Sequence, residues 1–109
     1  MRLEVTEHGG HVVVAPGGEL DTASVDRLSQ AIRAAFEGGR RLVVLDLEAV
    51  TFIDSTAVSA LLREHGRAQD EGLSLRLAAA PGAVDRVLEM LGVAGALPVH
   101  GTVAEAVAG

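Results

Sequence analysis

The chain has 109 residues, 49% of them hydrophobic, enough for one folded domain with an ordinary core and too apolar for a disordered segment. Its net charge is −6 and its nine basic residues, all Arg, are scattered, so it has no concentrated positive surface for nucleic acid or an anionic membrane. With no Cys, Trp or Tyr, disulfides, thiolate metal sites and base-stacking platforms are excluded.

In chain order, Leu3 and Val5 alternate with Glu4 and Thr6, which predicts a half-buried strand. His8-Gly9-Gly10 makes a turn into a second strand beginning at Val12-Val13-Val14, and Pro16-Gly17-Gly18 ends or bends it. Val25, Leu28, Ile32, Ala35 and Phe36 then fall at helical spacing, with Thr22 and Ser24 as candidate caps and Gly38-Gly39 as the stop. Leu42 to Leu45 is apolar at every position, the pattern of a strand buried on both faces. A loop from Glu48 to Asp54 leads into a helix with Val58, Leu61, Leu62 and His65 on one face, broken at Gly72. Leu73, Leu75 and Leu77 alternate as a further strand. Pro81 opens a third helix carrying Val84, Val87, Leu88 and Leu91, which Gly92 closes. Val93 to Val99 reads as a connection with a short strand near Leu97-Pro98-Val99. Thr102 and Glu105 form a capping box for a terminal helix.

This order predicts an α/β fold: a single domain over residues 1–109, with an N-terminal hairpin leading into a mainly parallel sheet of four to five strands and about four helices. No stretch approaches signal-peptide or membrane-span length, so the expected location is the cytoplasm.

The segment Val50 to Ser59 joins a buried strand to a helix, with Asp54-Ser55-Thr56 at the helix start. Asp54 or Ser55 there caps exposed backbone N–H groups. The same helix end carries partial positive charge and accommodates a phosphate. Other chemistry has weaker support. Asp46 ends a strand as a phosphoacceptor Asp does in receiver domains, but the chain has no Lys to accompany it; a hydrogen-bond acceptor is the simpler reading. His8 and His11 lack a third metal ligand. His65 reads as a packing or interface residue, and Ser55 lies in no nucleophile elbow. These points predict a binding protein, not an enzyme, with no metal and no cofactor of its own.

Phe52-Ile53-Asp54-Ser55-Thr56 before an apolar helix resembles the signature of STAS domains, specifically of bacterial anti-sigma factor antagonists. Gly18-Glu19-Leu20-Asp21 resembles the family's second signature, and the strand Leu42 to Leu47, Leu88 to Gly92 and Val103 to Ala106 are similar in pattern and order. The resemblance implies a domain that binds an anti-sigma factor serine kinase, releases a sigma factor and is switched off by phosphorylation of Ser55, with Thr56 the alternative acceptor. ATP enters only as the kinase's substrate, and a phosphatase resets the switch. The implied partner surface is Glu19, Asp21, Asp54, Ser55, Thr56, Ala57, Val58 and Ser59. Ala57 and Ser59 stand where the family usually has Gly, which puts extra side chains near that surface. A subunit of a stress-sensing complex or an accessory to a membrane transporter is the other role such a domain fills.

Overall fold

The computed structural model describes residues 1–93 and 95–109. The hairpin is β1 (Arg2–Glu7) and β2 (His11–Leu20), followed by α1 (Val25–Glu37), β3 (Leu42–Asp46) and β4 (Val50–Ile53). Then come α2 (Ser55–Asp70), β5 (Ser74–Ala78), α3 (Ala83–Met90), β6 (Val99–His100) and α4 (Val103–Ala108). The strands form one six-stranded sheet in the order β1-β2-β3-β5-β6, with β4 also paired to β2. Among the described residues only the β1–β2 pairing is antiparallel.

The continuous apolar run of β3 has the predicted cause. Val43 and Leu45 point into the main core with Val12 and Val14, beneath α1, α2 and α3. Val44 joins Val13, Ala78 and Ala106 in a smaller core under α4 on the opposite face. Val43, Val44 and Leu45, fully covered on both sides, leave no water-facing position there for a polar side chain.

The segment read as a loop from Glu48 to Asp54 contains a strand. β3 leaves the pairing with β2 at Asp46, turns through Leu47, and resumes beside β2 as β4, with Glu19 opposite Phe52 and Leu20 opposite Ile53. β2 therefore does not end at Pro16-Gly17-Gly18. It bends there, with a register shift between Gly18 and Glu19, and Gly18 takes φ +91°, a left-handed backbone that only glycine adopts without strain. Its extra length lets one strand support both β3 and β4.

Smaller departures have similar reasons. β1 forms the sheet's outer edge, so Val5 is exposed and Leu3 only half-buried, less covered than alternation implies. α3 begins at Ala83 behind Gly82, not at Pro81. The last strand is Val99–His100, displaced from Leu97-Pro98-Val99. Ala94, inside the expected Val93 to Val99 connection, lies outside the described residues. On α2 the buried stripe is Ala57, Leu61, Glu64 and Ala68, with Val58 and Ala60, while Leu62 and His65 are only half-buried. Glu64 is tolerated there because Arg33 of α1 reaches it at 2.8 Å and ties the two helices together. The thirteen-residue α1 and sixteen-residue α2 are thus joined by packing and by a charge-assisted bond.

At the hairpin turn the His8 and His11 rings stack with centroids 4.5 Å apart and planes 10° from parallel. Burial holds the His11 imidazole below the ordinary value of 6.5, and the neighbouring His8 lowers it further. The folded chain therefore binds this proton less readily than the unfolded one. Its contribution to stability is whole above pH 6.5 and is lost as pH falls from 6.5 through the folded value. A histidine titration by NMR is expected to give His11 a midpoint below 6.5, raised only partly by His8→Ala because burial persists. A midpoint at or above 6.5 would contradict the packing described.

Candidate functional site

The two sequence signatures meet where β2 and β4 end. The Asp54 N–H donates to the Leu20 carbonyl at 3.1 Å, fastening the start of α2 to the end of β2. Both strands run parallel, and the carboxyl ends of parallel strands are where α/β folds present their binding surfaces.

Asp54 is the N-cap. Its backbone is extended, and its Oδ1 accepts from the Ala57 N–H at 2.9 Å. That bond satisfies one of the free donors of the first turn and fixes the Asp54 carboxylate. Ser55 is the first helical residue, and its exposed hydroxyl is left out of the capping. Thr56 and Ser59 are also exposed.

Ala57 and Val58 differ from expectation. They are 0% and 2% exposed, packed into the main core, so neither side chain reaches a docking partner. The Ala57 methyl, in place of the family's usual Gly, therefore fills core and leaves the surface unchanged. Ser59 alone of the two departures changes the exposed face.

Opposite Ser55 lies the loop that follows β2. Glu19 is exposed and Asp21 half-buried. Asp21 Oδ1 accepts from the Ala23 N–H at 3.0 Å, closing a tight turn. Ser24 does more than its cap position suggests. Its hydroxyl makes no bond into α1; it donates to the Glu19 carbonyl at 3.0 Å and accepts from the Asp21 N–H at 3.0 Å. This buried side chain holds both carboxylate-bearing residues in place. Sequence reasoning assigned Ser24 a cap only; its signal was the short Asp21-to-Ser24 spacing, shared by many turns.

The remaining candidates lie apart. Asp46 Oδ1 accepts from the Glu48 N–H at 3.0 Å, the strand-end role expected of it. His65 is ten residues beyond Ser55 on the same helix, roughly 15 Å along its axis, too far to serve as its base. Among the described residues no group of three or more His, Cys, Asp or Glu is placed to hold a metal ion. Among the same residues, no helix is long and apolar enough to cross a membrane.

Residues 2–106 match the STAS domain family. The anti-sigma-F factor antagonist RsfA of Mycobacterium tuberculosis is 27% identical over 104 residues, covering 94% of this chain and 81% of that protein. An anti-sigma factor antagonist from Mycobacterium paratuberculosis superposes with a TM-score of 0.82 at 25% identity, over 98% of this chain and 91% of the other. The Bacillus cell fate determinant SpoIIAA, in its phosphorylated form, shares the fold with a TM-score of 0.71 at 21% identity, over 98% and 97%. By its sequence over residues 2–106 and by its fold, this chain belongs to the STAS domain family.

Proposed function

We propose that this chain is an anti-sigma factor antagonist whose binding is switched off by phosphorylation of Ser55. The observation that carries the reading is the Ser55 hydroxyl, exposed in the first turn of α2 and free of the capping role that Asp54 performs. The similarity to RsfA, named an anti-sigma-F factor antagonist, supports the antagonist part of the reading.

The unphosphorylated surface of Glu19, Asp21, Asp54, Ser55, Thr56 and Ser59 docks an anti-sigma factor, which then releases its sigma factor. That partner is a serine kinase and brings the ATP; this chain supplies the acceptor and needs no cofactor. The γ-phosphoryl passes from ATP to Ser55 Oγ, ADP leaves, and the hydroxyl proton departs with the products. The phosphate adds about −1.5 to −2 charge beside Asp54. The positive end of α2 tolerates that charge within the domain, whereas an interface formed around the neutral hydroxyl does not. A phosphatase restores the first state.

The test is direct. Incubation with the purified anti-sigma factor kinase of the same genome and ATP is expected to add one phosphate, placed on Ser55 by tandem mass spectrometry and absent in Ser55→Ala. Thr56 is the rival acceptor in the same turn. Phosphate on Thr56 would move the switch by one residue. No phosphate anywhere would end this reading.

A further inference from the structure

β1 is the long open edge of the sheet. It pairs with β2 in an unbroken register, from Arg2 opposite Gly17 to Glu7 opposite Val12. Among the described residues no strand lies on its other side. The opposite edge, β6, is only two residues long. A six-residue edge with no proline and no bulge offers a row of backbone donors and acceptors to another strand.

The hairpin decides which residues offer them. The His8 N–H donates to the His11 carbonyl at 2.9 Å, so even-numbered residues of β1 turn their backbone groups towards β2. Pro16, which has no N–H, accordingly stands opposite odd-numbered Leu3. The N–H and C=O groups of Leu3, Val5 and Glu7 therefore point away from the sheet. Side chains alternate with the same period. Met1 and Leu3 pack against the main core, and Val5 on that face is 52% exposed. Arg2 and Glu4 lie on the other face, where both border a shallow groove with Ala15 and Gly17. Both are exposed, and among the described residues neither has an ion-pair partner.

We propose that β1 pairs antiparallel with β1 of a second copy of this chain, across a two-fold axis at Leu3, so that one sheet runs through both molecules. Such an axis is perpendicular to the sheet and preserves its faces, so odd residues meet odd and even meet even. With the axis at Leu3, Leu3 meets Leu3, Val5 meets Met1, and Arg2 meets Glu4 of the second copy on both sides of the axis. The Met1 carbonyl accepts from Arg27 at 3.1 Å and keeps a second lone pair for the new strand. An axis at Glu4 would set two carboxylates opposite each other. An axis at Val5 would lay Glu7 over Leu3 and leave Arg2 facing His8. The Leu3 register alone matches apolar with apolar and charge with opposite charge from Met1 to Val5. It also covers Val5. The proposal is independent of the reading of Ser55, and its test uses this chain alone.

Sedimentation equilibrium of the native chain, from about 1 µM to about 1 mM, is expected to show a monomer–dimer equilibrium. Arg2→Glu and Glu4→Arg each set like charges opposite one another twice, and each is expected to weaken association about tenfold. The double variant restores opposite charges and is expected to return to within about threefold of the native value. Both positions are exposed, so melting curves should stay unchanged. The chain has no cysteine, which makes cross-linking specific. An oxidised mixture of Arg2→Cys and Glu4→Cys is expected to give a disulfide between the two variants, and neither variant one with itself. Glu4→Cys or Val5→Cys linking efficiently to itself would move the axis and overturn the register. A native chain that stays monomeric throughout overturns the dimer, as does a double variant that associates no better than the single ones.

Discussion

Ser55→Asp is expected to bind the anti-sigma factor about thirtyfold more weakly than the native chain, a loss of about 2 kcal/mol. The estimate comes from placing a second negative charge a few ångströms from Asp54, at a surface of intermediate dielectric, where a partner has desolvated both. Asp54 cannot turn away to relieve the repulsion, because its Oδ1 is held at 2.9 Å by the Ala57 N–H. Ser55→Ala is the necessary comparison. Ser55 is exposed and outside the capping bond, so its removal should change folding stability by less than about 0.5 kcal/mol. Ser55→Ala should also keep the anti-sigma factor bound in the presence of ATP, since no phosphate can be added. Binding by Ser55→Asp within twofold of the native chain, measured by calorimetry, would mean that charge at this position is not the switch.

The parts of this site differ in how visible they were in the amino-acid sequence. β3 was legible because a strand buried on both faces has to be apolar throughout, and the cores containing Val43 and Val44 show why. The start of α2 was legible because few arrangements put Asp, Ser and Thr together ahead of an apolar helix. β4 was not. Val50 and Ile53 are buried while Thr51 and Phe52 between them are exposed, a pattern with neither the alternation of a half-buried strand nor the run of a covered one. That pattern arises from pairing with β2 alone, next to a bulge, and pairing of that kind leaves no period in the chain. Glu64 was equally hidden. It stands on the buried stripe of α2, but its compensating charge, Arg33, is thirty-one positions earlier and on another helix. Phe52 belongs to the family-like signature, and only the folded chain reveals that this residue is half in water.

Ser24→Ala is expected to lower both stability and partner affinity, through a residue that need not touch the partner. The Ser24 side chain is 8% exposed, and its hydroxyl satisfies the Glu19 carbonyl and the Asp21 N–H at once. An alanine there leaves two backbone groups without their partner in a nearly dry site. The cost is about 2 kcal/mol, or roughly 10 °C in melting temperature for a domain of this size. The same loss frees the loop that presents Glu19 and Asp21 opposite Ser55, so the partner must order it on binding. Binding should weaken about fivefold, by way of a slower association or a faster dissociation that Ser55→Ala does not show. The two readouts separate the roles. A melting curve that falls while affinity holds would make Ser24 a purely structural residue and would remove the Glu19–Asp21 loop from the docking surface. If both fall in Ser24→Ala, and neither falls in Ser55→Ala, the acceptor hydroxyl and the scaffold that frames it are distinct parts of one site. The energetic difference between them follows from burial: Ser55 faces solvent and exchanges protein contacts for water freely, whereas Ser24 is enclosed and has no water to replace what it loses.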